Sequence, residues 1–340
     1  MDRDPALTAG GLAAPADDRI AVAVVSWNTR DLLARCLDAL HADAEAGLAE
    51  VWVVDNGSSD GSRELVAARY PWARLVTPDQ NLGFGPAVNL VAARTATRWL
   101  VAANADVAVE PGALAQLRAT AAAHPDVGAV GPRLVLPDGS TQNSVRPFPS
   151  VASALLLAVH APRFSRRAAR ALRVAGHWRP APGEDVPWVT GALMLLSRRA
   201  FEQAGGFDPD QWLYAEDMDL CWRLHEHGWR VLYEERAVAH HAHSAGTSQT
   251  FAGHELELRI TAASYLWMRR RRGPLAARLS AALGVLDVLP RLLAATVAPR
   301  RRRPSAAVRA GLRAELRSHL VACGSEARLR RHVPARPRRP

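Results

Sequence analysis

Lysine is missing from this 340-residue sequence altogether, and all 43 basic residues are arginine. Isoleucine occurs only at Ile20 and Ile260. The three cysteines, Cys36, Cys221 and Cys323, lie far apart and in no CxxC arrangement. They support neither a disulfide framework nor a zinc site, and they fit a reducing compartment. The first 18 residues lack the basic and apolar regions of a signal peptide. No stretch reaches the roughly 18 uncharged apolar residues of a spanning helix. Residues 151–162 are too few, and 275–298 are interrupted by Arg278, Asp287, Pro290 and Arg291.

What is present is ample core material: 49% of residues are apolar and 22% charged. Disorder throughout is excluded, and one large domain or two ordinary ones is expected. The net charge of +10 is uneven. Residues 269–340 carry 19 arginines against Asp287, Glu315 and Glu326, a net of +16, so the remainder is mildly acidic. Such a tail predicts an anionic partner, either a membrane surface or a nucleic acid. No Phe, Tyr or Trp follows Trp267, which counts against base stacking and so against nucleic acid.

After a flexible lead over 1–18, a β-branched run at 20–26 predicts a strand, and helical spacing over 31–40 predicts a helix. The alternation continues with strands at 51–54, 74–77 and 99–103 and helices at 63–69, 86–95 and 111–123. Strands follow at 127–135 and 189–197, a helix at 216–227 closed by Gly228, and short strands at 231–233 and 237–239. Residues 146–185 read as an irregular excursion covering the site. From Glu255 onward the pattern is helical and basic. The expected fold class is α/β, a Rossmann-like, mostly parallel sheet with helices on both faces, plus a basic helical C-terminal arm. Ligands of such sheets bind beyond the carboxyl ends of the strands, where Asn28, residues 55–60 and residues 104–106 should meet.

Four clusters bear on chemistry. Asp55-Asn-Gly-Ser-Ser-Asp60 offers carboxylates and exposed N–H groups where a nucleotide binds, although an Asx-rich turn with a helix cap accounts for the same residues. Asn81-Leu-Gly-Phe-Gly85 suits phosphate or a plain tight turn. Asp106, after a buried strand, suits a divalent cation whose other ligands are phosphate and water oxygens, or a turn cap. Glu216-Asp217 opens a helix, as caps do, but one of the pair is placed to serve as a general base. His240-His-Ala-His243 is poorly spaced for a zinc site of its own, and one of these histidines suits a place beside Asp106.

Taken in order, these residues resemble the inverting family 2 glycosyltransferases of the GT-A fold, in particular their rhamnosyltransferase-like members. The resemblance runs through Val24-Val-Ser-Trp-Asn28, Val53-Val-Asp-Asn-Gly-Ser-Ser-Asp60, Asn81-Leu-Gly-Phe-Gly85 with Asn89, and Asn104-Ala-Asp106. It continues through Gly191-Ala-Leu-Met194, Gly205-Gly-Phe-Asp208 and Tyr214-Ala-Glu-Asp-Met-Asp-Leu-Cys-Trp-Arg223, and covers about residues 20–250. It implies a GT-A domain over 19–254, with a nucleotide-sugar half to about 110 and an acceptor half beyond it. Ser26, Asn28, Asp55, Asn56, Ser58, Asn81, Gly83, Asn89, Asn104, Asp106 and Gly191 are then expected at the nucleotide sugar. Trp188 and Glu216 are expected at the acceptor, and Asp217 as catalytic base. Asp106 with His241, or His240 in its place, would hold Mg²⁺ or Mn²⁺. The implied partners are dTDP-rhamnose and a glycan or polyprenyl-diphosphate-linked acceptor. Apart from the resemblance, the clusters Arg269–Arg272 and Arg300–Arg303 flank the apolar stretch 275–298 and suit an anionic membrane on whose cytoplasmic face the arm over 255–340 would lie. The rivals are a nucleotidyltransferase, disfavoured because Ser26-Trp-Asn28 carries no basic loop, and a nucleic-acid-binding protein.

Overall fold

The computed structural model describes residues 17–174, 181–211, 214–242, 253–298 and 304–331. Strand and helix alternate through β1 (Asp17–Ser26), α1 (Arg30–Glu45), β2 (Ala49–Asp55), α2 (Ser62–Arg69), β3 (Arg74–Val76), α3 (Phe84–Ala92) and β4 (Thr97–Asn104). The chain continues through β5 (Val107–Val109), α4 (Ala113–Ala122), β6 (Val127–Val135) and β7 (Val145–Arg146). An excursion forms α5 (Val151–Ala158), α6 (Ala161–Phe164) and α7 (Arg166–Ala171), before β8 (Glu184–Asp185), β9 (Trp188–Val189) and β10 (Leu193–Ser197). Then come α8 (Arg198–Gln203), α9 (Glu216–Glu226) and β11 (Arg230–His241).

Side chains alternate across a strand, so a strand buried on both faces must be apolar at every position. β1 meets that demand. Ile20, Val22 and Val24 pack with Leu33 and Leu37 of α1 and Leu114 of α4, while Ala21 and Ala23 face Val88, Phe207 and Leu220 on the other side. The nine-stranded sheet runs β3-β2-β1-β4-β10-β6-β11-β5, with β8 on β11. β1 to β4, β6 and β11 share one direction, and β10, β5 and β8 oppose it. Because β10 lies reversed beside β4, its start meets the carboxyl end of β4, where the Asn104 N–H donates to the Ala192 carbonyl at 2.9 Å. The strand ends therefore converge on one mouth, as the polar clusters predict.

Several details depart from expectation. Asp17 and Asp18 belong to β1 rather than to a flexible lead, and the Trp99 indole donates to Asp18 Oδ1 at 3.1 Å. The single strand expected at 189–197 is divided into β9 and β10 by Thr190-Gly191-Ala192. The two short strands expected near 231–239 are one, β11, with a bulge between Glu234 and Val238. The excursion is helical, and α5 packs on the C-terminal arm.

That arm comprises α10 (Gly253–Arg272), α11 (Pro274–Val297), α12 (Ala306–Ala322) and α13 (Glu326–Arg330). It shares a core with α9, in which Met218 packs with Leu266 and Trp267. Phe148 stacks on Trp267 at 5.8 Å, and Trp222 meets both rings edge-on. Arg269–Arg272, expected at a membrane, each make a contact within the protein, although Arg270 and Arg272 remain exposed. Arg269 donates to the Gly324 carbonyl, Arg270 reaches Gln211 and Asp208, and Arg272 lies over the Trp222 ring. Arg271 Nε bonds the buried Asp219 Oδ1 at 2.9 Å. A buried carboxylate needs paired charge, and this run supplies it. The other cluster, 300–303, lies outside the described residues, as does 332–340. By length and composition α11 is apolar enough to cross a membrane, contrary to the expectation for 275–298.

Asp219 also accepts from Arg223 Nε at 2.8 Å. Replacing Asp219 by Ala leaves two arginines without their countercharge and is expected to cost about 3–5 kcal/mol, the scale for breaking a buried pair. Glu226→Ala, which removes an exposed partner 3.8 Å from Arg271, should cost less than about 1 kcal/mol. Urea unfolding of the two variants distinguishes them.

Candidate functional site

The mouth is built first from the turn after β2. Asp55 is fully buried, and its Oδ1 accepts from the Gly57 and Ser58 N–H groups at 3.1 and 2.9 Å and from Arg63 Nε at 2.8 Å. Its Oδ2 is buried without a hydrogen-bond partner, an acceptor aimed where no protein donor stands. Asn28, in the left-handed region at φ 51°, donates its N–H to Ser58 Oγ and accepts the Ser59 N–H on its side chain. Ser26 Oγ lies 3.1 Å from Thr29 Oγ1. Asn56 bridges to the second loop, accepting from the Leu82 N–H and donating to the Gly83 carbonyl. Within that loop Asn81 accepts the Gly83 N–H at 2.8 Å, and Gly83, at φ 80°, leads into α3. The structure thus brings Ser26, Asn28, Asp55, Asn56, Ser58, Asn81 and Gly83 together. Asn89 is placed otherwise: both ends of its amide are committed to the Phe207 backbone, at 2.8 and 2.9 Å, which ties α3 to the 205–208 turn.

Asn104 ends β4, and Asp106 lies in the turn that follows it. Asp106 Oδ1 lies 3.2 Å from His241 Nε2, and both side chains are nearly inaccessible. His241 Nδ1 is 2.7 Å from Gln142 Oε1; if that nitrogen carries the proton, Nε2 presents its lone pair toward Asp106. His240, the next residue on the strand, points to the opposite face and meets Glu110 at 3.0 Å. Of the two candidates, His241 is therefore the one beside Asp106, and His243 lies outside the described residues. One carboxylate and one imidazole suit a divalent cation that takes its remaining ligands from a diphosphate and water. Among the described residues no group of three or more His, Cys, Asp or Glu side chains is arranged to hold a metal alone.

The acidic pair opens α9. Tyr214 and Ala215 both lie in the left-handed region, at φ 64° and 65°, an arrangement that costs residues with a Cβ free energy and swings the start of α9 toward the mouth. Asp217 Oδ2 accepts the Gly191 N–H at 2.9 Å, its Oδ1 accepts the Met218 N–H at 2.7 Å, and the Thr190 hydroxyl adds a further bond. Gly191 leaves little room for a side chain: a Cβ there would stand 3.1 Å from the Phe84 ring and 3.3 Å from Asp217 Cβ, a tight fit. Burial raises the Asp217 pKa, while these donors pull it back. Glu216 is buried with Oε2 lacking a hydrogen-bond partner. Burial, reinforced by the Asp217 charge, pushes its pKa up to about 8. Trp188, half-buried on β9, donates to the Pro147 carbonyl at 3.3 Å and flanks α9.

A continuous path therefore joins the pieces: Asp217 to Gly191, Ala192 to Asn104, and Asn104 through the chain to Asp106. Sequence reasoning missed Arg63, Gln142, Thr190 and the pairing of Asp219 with Arg223 and Arg271. Thr190 adjoins a glycine that interrupts an apolar run, a signal of close backbone approach. The other contacts span distances in sequence that local pattern does not reach.

The sequence pattern of the family described as "Glycosyltransferase like family 2" matches residues 15–259. The N-acetylglucosaminyl-diphospho-decaprenol L-rhamnosyltransferase of Mycobacterium tuberculosis is 36% identical over 246 residues, 67% of this chain and 78% of that one. Among solved structures, a mannosyltransferase of Pyrobaculum calidifontis in complex with GDP-Man and Mn²⁺ superposes with a TM-score of 0.53 at 19% identity, covering 91% of this chain and 88% of that one. TarS residues 1–349 of S. aureus, in complex with UDP-GlcNAc, gives 0.50 at 12% identity over 93% and 84% of the two chains. The fold is GT-A, and the neighbour with Mn²⁺ has a divalent cation in such a fold.

The acidic pair has a pH signature. Folded Glu216 keeps its proton up to about pH 8, whereas in the unfolded chain it loses it near its ordinary value of 4.5. Between those limits the folded state binds more protons, so stability falls as pH rises. Glu216→Gln should flatten that slope, and urea midpoints from pH 5 to 8 should show the variant gaining on the wild type toward pH 8.

Proposed function

The chain belongs to glycosyltransferase family 2, and from that premise we propose that it moves rhamnose from dTDP-rhamnose to a sugar hydroxyl of a polyprenyl-diphosphate-linked glycan, at the cytoplasmic face of the membrane, in cell-wall or surface-polysaccharide synthesis. The donor and acceptor follow the rhamnosyltransferase to which the chain is 36% identical. The observation that carries the reading is Asp217, half-buried and held by the Gly191 and Met218 N–H groups on the path that leads to Asp106.

Asp217 accepts the proton of the acceptor hydroxyl as its oxygen attacks the anomeric carbon, the bond to the diphosphate oxygen breaks on the opposite side, and the configuration inverts. A carboxylate whose pKa is raised by burial is a stronger base than one in water, which is what this step needs. Glu216, protonated at neutral pH, donates to the acceptor without adding a second negative charge. Trp188 bounds the acceptor side. Asp55, with its unpartnered Oδ2, accepts from the nucleoside, while Ser26, Asn28, Asn56, Ser58, Asn81 and Gly83 shape the loops around it. Asn104 and Gly191 line the space between donor and base. Asn89 acts through Phe207. Asp106 and His241 are the residues to hold Mg²⁺ or Mn²⁺, which when bound offsets the charge on the departing diphosphate.

Asp217→Asn should lower turnover by roughly two to four orders of magnitude, the usual yield of general-base catalysis, while leaving affinity for dTDP-rhamnose nearly unchanged. Near-normal turnover removes Asp217 from the role. Asp106→Ala should abolish the dependence of nucleotide-sugar affinity on Mn²⁺, measured by calorimetry with and without EDTA. Equal affinities in all four conditions would dismiss the metal assignment.

A further inference from the structure

The excursion between β7 and β8 presents an unusual surface. α5 has the sequence Val-Ala-Ser-Ala-Leu-Leu-Leu-Ala, with no charged side chain and no buried residue. Leu155, Leu157 and Val159 are each about half exposed, and Phe164, in α6, is 86% exposed. Apolar groups of that size on adjacent turns are a contact surface awaiting a partner. α5 packs on α11, where His160 just beyond α5 meets Asp287 at 3.3 Å. α11 bears a second apolar stripe: Leu275, Leu279, Leu286, Leu289, Leu293 and Val297 recur at three-, four- and seven-residue spacings, which place them on one face, and all are exposed. The opposite side of α11, through Ala277, Ala281 and Val288, is buried in the helical bundle. The helix is therefore seated in the protein along its length with one apolar face outward.

Charge identifies the partner. Residues 140–183 contain seven arginines and no Asp or Glu. Arg163, Arg166, Arg167 and Arg170, around Phe164 on α6 and α7, are exposed, and none has an acidic neighbour within ion-pair distance among the described residues. Apolar side chains set among unpaired arginines match the acyl boundary and anionic headgroups of a bilayer. We propose that the α5–α7 excursion and the outer face of α11 together form the surface by which this enzyme lies on an anionic membrane. This rests on the reading of the acceptor as lipid-linked. It assigns the contact to arginines of the excursion, since each of Arg269–Arg272 already has a partner within the protein.

The full chain is tested against vesicles of equal parts phosphatidylglycerol and phosphatidylcholine, and against phosphatidylcholine alone, by co-sedimentation. Each arginine near an anionic surface corresponds to about a fivefold change in partitioning. Arg166→Ser with Arg167→Ser should therefore weaken binding to the anionic vesicles by more than about tenfold, and Leu157→Ser with Phe164→Ser should do likewise. Both double variants alter exposed side chains and should keep the wild-type melting temperature and its rise with dTDP-rhamnose and Mn²⁺. That rise reports on the donor site alone, so its absence from the wild type would count against the donor assignment and leave the vesicle result to decide the membrane surface. Wild-type protein that stays in the supernatant with anionic vesicles overturns the proposal. So do variants that sediment like wild type, or a wild-type dimer that the Leu157→Ser, Phe164→Ser variant dissolves without any change in lipid binding.

Discussion

The carboxylate of Asp219 is the constraint on which the mouth depends. It lies two residues beyond the proposed base and is held by Arg223 from its own helix and Arg271 from the arm. Arg223 in turn donates to the carbonyls of Ala204 and Gly206. The next residue, Phe207, is clasped by Asn89 and packs so closely on Gly85 that a Cβ there would stand 2.7 Å away. One buried charge thus fixes the start of α9, the 204–207 turn and the loop before α3 relative to one another. Buried ion pairs add little net stability, because desolvation offsets their attraction, but they penalise any geometry that separates the partners. Here that penalty holds the donor loop and the acidic pair in register.

The same constraint explains how strain survives beside it. Two successive residues with positive φ, Tyr214 and Ala215, cost roughly 1–3 kcal/mol each. They persist because Leu220 and Leu224 anchor α9 in the core and Asp217 receives backbone donors from both sides. The result places two adjacent carboxyl groups, Glu216 buried and Asp217 half-buried, at a helix N-terminus. Both cannot ionise cheaply in that setting, and the donors around Asp217 decide which one does. The backbone strain thus goes with an arrangement that suits the proposed roles, Asp217 as base and Glu216 as proton donor.

Much of this was legible in sequence. The period-2 and period-3.6 patterns located β1 to β4 with α1 to α3, and turn residues marked the strand ends, because both signals are local. The break at Thr190-Gly191-Ala192 was hidden by the apolar residues on either side, which read as one strand. β5 and α8 are too short for periodicity to register. The helices of the excursion escaped because α5, apolar all round, carries no amphipathic alternation. Arg269–Arg272 misled for a physical reason: a cluster of one charge attracts any anionic partner, and composition does not say that a buried carboxylate elsewhere in the chain is nearer than a lipid. The sequence leaves His240 and His241 open because its pattern ends the strand at 239; β11 runs on to His241 and so puts the two on opposite faces.

The account requires a single displacement assisted by one ionised carboxylate, with no covalent sugar attached to the protein on the way. Its most direct test is the anomeric configuration of the product, read by NMR from the one-bond carbon–hydrogen coupling of the transferred sugar and compared with that of the donor. Inversion in every turnover is the predicted result; retention would contradict the role of Asp217 and the geometry of the mouth together.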